Sequence, residues 1–393
     1  MKTNDIYEIK IIDEDNIGNG IAKIDNFVIF ISNALKDEIL KIQITEVNKR
    51  FAKAKIIEFI EKSNRRKEVE CDCYDSCGAC SFLHIDFKEE KEKKLNEISK
   101  LFNKEINILH TDNEYNYRNK ATFHVKDNKI GYYSEKTNDL VELTTCKLLD
   151  KRINDIYNHF KSENLSGIEE IMIRVTKSQI MLKITSQKDF DKTNLINKFN
   201  IDSIYLNKKL IHGNAYITEE LNNIKYTIYP NAFFQVNTQN MKIMYDLVKQ
   251  YAGKANNLLD LYCGTGTIGI YLSENFNNVT GVEINSQAIM NATINKELNH
   301  IENIKFLCAD ASIIKEGTYD VIVVDPPRSG LSKDVINYLN KSNALRIVYV
   351  SCNPKTLKRD LELLNSYELK NIECINMFNK TKHLEAVCLL ERK

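Results

Sequence analysis

The segment LLDLYCGTGTIG, residues 258–269, constrains this chain more than any other. An apolar run ends at Asp260, passes through Gly264 and Gly266, and re-enters an apolar pattern at Gly269. This G-x-G-x-x-G spacing predicts a strand, a tight turn and a helix, with a backbone that a ligand can approach closely. The rest of residues 230–393 repeats the theme. Strand-like runs (LLDLY, VTGVE, IKFLCA, YDVIVVD, RIVYVS, AVCLL) are separated by helical segments such as IGIYLSENF, SQAIMNATINKELN and KTLKRDLELLN. Such alternation predicts an α/β fold with a doubly wound parallel sheet.

Two further stretches precede it. Residues 1–62 alternate apolar and polar positions in IYEIKII, NFVIFIS, ILKIQITEV and FAKAKIIEFI, with Gly18 and Gly20 in a turn. Several short strands in succession predict a small OB-like β-barrel. On its last strand Lys49, Phe51, Lys53 and Lys55 share a face by the period-two rule, either as a single-strand RNA surface or as a solvated strand. Residues 63–229 mix strand-like and helix-like segments around a cysteine cluster. The helical run KEEKEKKLNEISKLF there puts Leu95, Ile98 and Phe102 on one side and its charges on a wet face.

Both cofactor classes that use a glycine loop need these glycines, but Asp260 favours a methyl donor. A carboxylate at the strand end suits a cationic amine such as that of S-adenosylmethionine, and nicotinamide dinucleotides have none. Glu283 ends the next strand, where it can hold ribose hydroxyls.

The following strands end in Asp325-Pro326-Pro327-Arg328 and Ser351-Cys352-Asn353-Pro354. In a parallel sheet these carboxyl ends converge on the ligand crevice. An Asp-Pro-Pro followed by Arg, with a neighbouring cysteine, argues for methylation at carbon. C5 of uracil is a poor nucleophile until a thiolate adds to C6, and a base must then take the C5 proton. Cys352 suits the thiolate role, because Pro354 fits the first position of a helix whose N-terminus would lower the thiol pKa. Glu385, with His383 behind it, is the candidate base. Cys263, Cys308, Cys374 and Cys388 read as buried, inert thiols.

Net charge is +1, so any nucleic-acid surface must be local. There is no apolar run long enough for a membrane span, and the opening MKTNDIYEIK has no signal-like apolar region. The expectation is a cytoplasmic protein whose ten cysteines are reduced and serve metal ligation or catalysis rather than disulfides.

Taken in order, FFQVN (233–237), LDLYCGTGTIG, VTGVE, DPPRSG (325–330), SCNPKTLKRD (351–360) and HLEAV (383–387) resemble the RNA uracil-C5 methyltransferase family, most closely its 23S ribosomal RNA branch. The resemblance extends to the N-terminus, which is similar to the family's TRAM barrel. It implies a C-terminal Rossmann-like S-adenosylmethionine methyltransferase domain (230–393), a TRAM-like RNA-binding barrel (1–62) and a central cluster-bearing domain (63–229). It implies that Gln235, Tyr262, Glu283 and Asp325, with the Gly264 loop, bind S-adenosylmethionine. Cys352 is then the nucleophile and Glu385 the base. It also implies that Cys71, Cys77, Cys80 and the distant Cys146 hold a 4Fe–4S cluster, Cys73 being extra. CGAC and Leu83-His84 depart from the usual CGGC and Gln-His. Zinc held by three cysteines with Cys146 or His84 is the competing metal. The implied partner is RNA, most closely 23S rRNA, and no protein partner is inferred. The rival readings are the same chemistry on a tRNA loop, a nicotinamide oxidoreductase, and a non-catalytic RNA-binding iron–sulfur protein.

Overall fold

Period-two alternation across the first sixty residues places every second side chain on one face, and that face is a core. Ile9, Ile29, Ile31, Leu40, Ile42, Ile44, Ala52 and Ala54 are buried together. The six strands run in the order Ile6–Lys10, Ile39–Val47, Phe51–Glu61, Phe27–Ser32, Asn19–Ile24 and Asp13–Glu14. Lys53 and Lys55 point outward beside Phe51, whose ring meets Phe30 edge-on at 5.6 Å. Lys49 lies before the strand and does not share that face.

The structure is a computed structural model that describes residues 1–134, 137–191, 193–313 and 318–393. It divides into two compact units. One comprises Met1–Lys104, Tyr133–Thr144 and Phe378–Lys382; the other comprises Glu105–Tyr132, Thr145–Met377 and His383–Lys393.

In the first unit the charged helix spans Phe87–Phe102, capped by the Asp86 carboxylate on the Glu89 N–H at 2.8 Å. Its buried side matches the predicted apolar stripe only at Ile98. Glu90, Lys94 and Ile98 are buried, while Leu95 and Phe102 are only partly so. Residues four apart share a helix face, and here that face carries an ion pair. Lys94 donates to Glu90 at 2.8 Å and to the Phe378 carbonyl at 3.1 Å. The backbone N–H of the buried Lys380 donates to Glu90 at 2.9 Å, and its ammonium lies 3.7 Å from the same carboxylate. Charges taken from water in this way need such partners.

Beside the two-stranded pair Ile217–Leu221 and Ile224–Ile228, the second unit holds two larger sheets among the described residues. In one, Lys120–Lys126, Ile168–Val175, Ile180–Ser186, Ser203–Leu206 and Lys209–Gly213 follow in that order. Phe123, Ile171, Ile173, Leu182 and Ile184 are buried, as are Ile153, Ile156, Tyr157 and Phe160 of the helix Lys151–Lys161.

The other sheet runs Ile304–Cys308, Phe276–Glu283, Ala255–Leu261, Val321–Val324, Arg346–Ser351, Glu385–Arg392, Tyr367–Ile375 and Asn107–Leu109. Its first five strands are parallel, as the βα alternation predicts. The last strand departs from this: Glu385–Arg392 inserts antiparallel between Arg346–Ser351 and Tyr367–Ile375. The IGIYLSENF helix is also shorter than its pattern, ending at Leu272 before a 3₁₀ turn at Ser273–Asn275. Among the described residues no helix is long and apolar enough to cross a membrane.

Candidate active site

Asp260 is completely buried, and its surroundings follow from the glycine spacing. One carboxyl oxygen accepts the Gly269 N–H at 2.9 Å. A Cβ on Gly269 would stand 2.9 Å from that same oxygen, so glycine lets the helix come close enough. The other oxygen makes no hydrogen bond among the described residues. Burial pushes the Asp260 carboxyl up to about 8, with Asp325 and Glu283 adding to the effect.

The turn itself is left-handed at Tyr262 (φ 62°), Gly264 (φ 54°) and Gly266 (φ 76°). A Cβ on Gly264 would meet no atom within 4 Å, leaving open space above the backbone. Glu283 crosses from the next strand to accept the Gly264 N–H at 3.3 Å. The half-exposed Tyr262 phenol is pushed up to about 12 by burial.

Gln235 sits in a loop held on both sides. Its carbonyl accepts from Asn119 at 3.1 Å, and Asn237 caps the helix Thr238–Ala252 while donating to the Met377 carbonyl at 3.1 Å.

At the thiol end, β pairing decides the geometry. Ser351 pairs with Ala386 on the antiparallel strand, so Cys352 and Glu385 are the next positions outward on each side. Asn353 caps the helix Pro354–Leu363 with Pro354 in its first turn, as predicted. Asn353 and Thr356 also hold the Arg328 carbonyl, at 3.1 and 3.2 Å.

The predicted lowering of the Cys352 pKa is not what this setting produces. Burial raises the thiol, and Glu385 and Asp325 raise it further, with Arg328 opposing them. Two nearby carboxylates and partial burial outweigh one helix N-terminus. Glu385 is itself almost fully buried and is pushed up to about 8, by burial first and then Asp325, again opposed by Arg328. Asp325, also buried, rises to about 7. Cys352, Glu385, Asp325 and Arg328 therefore form one electrostatic group, and Asp325 links it to Asp260. His383, two residues before Glu385, is half-buried. Arg328 was visible in the sequence only as part of a motif; its role as the balancing cation needed the fold.

The cysteines outside this group divide differently. Among the described residues none of the ten is joined in a disulfide. Cys263, Cys374 and Cys388 are buried as expected, but Cys308 is exposed. Cys71 and Cys77 lie within electrostatic reach of each other and of Cys73, which donates to the Glu142 carbonyl at 3.0 Å. Cys80 acts on Tyr74. Cys146 belongs to the other unit, where Asn154 receives its N–H at 2.9 Å. Among the described residues no three His, Cys, Asp or Glu side chains stand together as a metal-holding group. The predicted ligand set Cys71, Cys77, Cys80 and Cys146 is thus not assembled, and the side chains do not fit a cluster. The zinc alternative through His84 fares no better. That ring is buried, with Nδ1 2.7 Å from the Tyr74 hydroxyl, and belongs to no metal-holding group among the described residues.

Comparison with known proteins shows the family and the fold. The profile of the tRNA (uracil-5-)-methyltransferase family matches residues 83–317 and 310–393, and that of the TRAM domain matches residues 2–57. An uncharacterized RNA methyltransferase of Clostridium acetobutylicum is 33% identical, over 100% of this chain and 98% of the relative. Another, of Staphylococcus epidermidis, is 31% identical, over 100% of this chain and 99% of the relative. The crystal structure of the Pyrococcus abyssi tRNA (uracil-54, C5)-methyltransferase in complex with S-adenosyl-L-homocysteine superposes with a TM-score of 0.82 at 24% identity. It covers 97% of this chain and 99% of its own.

Proposed function

The chain belongs to the tRNA (uracil-5-)-methyltransferase family and carries a TRAM domain, and from that premise we propose that it methylates C5 of a uridine in 23S rRNA. The carrying observation is the side-by-side exit of Cys352 and Glu385 from paired strands, in one electrostatic group with Asp325.

S-adenosylmethionine, when bound, supplies the methyl group. The residues fit it. The unsatisfied oxygen of buried Asp260 can take the amine, Glu283 the ribose hydroxyls, and the open space over Gly264 the backbone approach. Gln235, Tyr262 and Asp325 would complete the pocket.

The Cys352 thiolate adds to C6 of the uracil, and the electron pair displaced from the C5–C6 double bond makes C5 nucleophilic. After C5 has gained its methyl group, Glu385 removes the C5 proton; the double bond re-forms and the C6–sulfur bond breaks. Arg328 favours the charged forms of both groups. The uracil must leave any base stack to reach Cys352, so a loop or flipped nucleotide is the substrate. The enzyme acts in the cytosol, with the barrel (1–62), the central region (63–229) and the methyltransferase region (230–393) as its working parts.

The support for ribosomal RNA is the order of motifs from FFQVN to HLEAV, which resembles the 23S branch most closely. A tRNA substrate is the second reading, favoured by the activity of the P. abyssi enzyme. Mass-spectrometric mapping of 5-methyluridine in both RNAs, with and without the gene, decides. Loss of the mark from tRNA alone would overturn the ribosomal assignment.

A further inference from the structure

Arg174 is a buried cation without a counter-charge. It is 2% exposed, and its guanidinium donates from Nη1 to the Ala232 carbonyl at 3.0 Å. Its Nε has no partner, and it makes no ion pair, among the described residues. Burial alone drags its pKa down to about 10, with no carboxylate opposing the fall. A buried guanidinium ordinarily requires an anion.

The neighbours add positive charge. Arg174 pairs across the sheet with Lys120 on one side and Met181 on the other, and directly paired residues share a face. Lys183, two residues beyond Met181, points to that same face and donates to Asn231 at 3.0 Å. Arg118 folds back to donate to the Lys120 carbonyl at 3.2 Å. The half-buried Lys120 is pushed down to about 8, by burial first and then by Arg174, Lys183 and Arg118 in turn, against Glu170 alone. His124 and Glu170 share the face further along. Four cations thus crowd one end of a sheet, and two of them hold consecutive residues, Asn231 and Ala232, of the loop that leads to Gln235.

We propose that Arg174, Lys120 and Lys183 form an anion site that takes a backbone phosphate of the substrate RNA, next to the nucleotide undergoing reaction. The inference rests on the RNA-methylation reading and adds a contact to it. A single donor carboxylate would need one cation. Half-exposed lysines beside a buried arginine instead match a polyanion that enters from solvent and seats one charge deeply. The planar guanidinium offers paired N–H groups to phosphate oxygens. Arg118 reinforces the potential.

The test compares wild type with Arg174→Gln, Arg174→Lys and Lys120→Gln. The probes are a short fluorescein-labelled oligouridylate, the same oligomer with a methylphosphonate backbone, and S-adenosylhomocysteine. Arg174→Gln should weaken oligouridylate binding by roughly tenfold or more, as loss of a charge-assisted contact implies. It should also flatten the plot of log affinity against log salt by about 0.7. Arg174→Lys should restore part of both, and Lys120→Gln should show the same signs more weakly. Methylphosphonate oligomer should bind wild type and variants alike, and S-adenosylhomocysteine affinity should not change. Unaltered RNA affinity and salt slope in Arg174→Gln would overturn the site. So would a loss of S-adenosylhomocysteine binding instead, since the anion would then be the donor's carboxylate. Should Arg174→Gln fail to fold, Lys120→Gln decides by the same criteria. A wild type that binds oligouridylate but not S-adenosylhomocysteine would defeat the methylation reading separately.

Discussion

Cys352 and Glu385 leave adjacent antiparallel strands at the same level, one step beyond the Ser351–Ala386 pair. A nucleophile and a base placed this way can act on neighbouring carbons of one ring, C6 and C5. The two steps should therefore separate by mutation. Cys352→Ala should form no covalent complex with RNA containing 5-fluorouridine. Glu385→Gln should form the complex with ordinary RNA and fail to release it, because the C5 proton stays in place. Denaturing gels of enzyme with radiolabelled RNA read both results. An adduct in Cys352→Ala would show that another nucleophile operates.

The pH profile follows from the same pair. On the proposed mechanism, turnover needs Cys352 as thiolate and Glu385 as carboxylate, the deprotonated form of each. Both are raised, Glu385 to about 8 and Cys352 above its usual thiol value. The active fraction thus grows as pH rises, and kcat/KM should climb through about pH 8 rather than level off in the acid range. Glu385→Gln removes a negative neighbour of the thiol, so its adduct should form at lower pH than in wild type. Arg328→Met removes the opposing cation and should shift the wild-type profile toward alkali. A profile already flat at neutral pH would contradict this electrostatic arrangement.

Asp260 makes an opposite demand on stability. Its carboxyl rises from 3.8 to about 8 in the fold. Between those values the unfolded chain ionises freely and the folded one does not, so stability falls as pH rises through that window. Asp260→Asn removes the penalty while leaving an oxygen for the Gly269 N–H. The donor-free variant should melt several degrees above wild type near pH 8, and level with it near pH 4. It should also bind S-adenosylhomocysteine at least roughly tenfold more weakly, having lost a charge-assisted partner. Calorimetry and fluorescence melting measure the two effects, and equal melting curves at both pH values would refute the assignment.

The Glu90–Lys94–Lys380 group offers a test in the other unit. All three side chains are nearly inaccessible, and Glu90 receives both lysines. Glu90→Ala would take away the carboxylate that faces two buried ammonium groups, which should cost about 3–5 kcal/mol. Replacing Glu90, Lys94 and Lys380 together with leucine or methionine should recover most of that loss. Urea denaturation of the three proteins compares them; a Glu90→Ala cost below about 1 kcal/mol would mean that water reaches the group.

The helix that carries this group marks where sequence reasoning stopped. Periodicity located Phe87–Phe102 and hydrophobicity put its buried side on Leu95, Ile98 and Phe102; of these only Ile98 is fully buried, because burial of Glu90 depends on Lys380, almost three hundred residues away. The glycine loop succeeded for the opposite reason: Gly264, Gly266 and Gly269 are local geometric requirements, and Asp260 follows from them. The position of Glu385 depended on an antiparallel insertion that βα alternation does not encode. Arg174 sits in an unremarkable IMIRV run, and only cross-strand pairing reveals the charge around it. The cysteine spacing of Cys71, Cys77 and Cys80 was plain, but spacing states composition rather than convergence.

Asp360 supplies a last prediction, on how the thiol is held. It is fully buried in the helix that starts beside Cys352. One oxygen accepts the Tyr349 hydroxyl and the Leu331 N–H, both at 2.7 Å, and the other takes the Arg359 guanidinium at 2.6 Å. It thereby joins the Cys352 strand, the loop that follows Arg328, and the helix between them. Gly330 is part of the fit: its φ is +77°, and a Cβ there would stand 2.4 Å from the Asp360 carboxylate. Asp360→Asn keeps one acceptor and loses the charge on Arg359, so the loop should loosen while the core stays packed. Arg328 would then oppose Glu385 and Asp325 less well at the thiol. The expected signature is an alkaline shift in the pH dependence of 5-fluorouridine trapping, with S-adenosylhomocysteine affinity near wild type, and Gly330→Ala should reproduce it. If trapping in both variants overlays wild type at every pH while their melting temperatures drop, Asp360 holds the fold and does not tune Cys352.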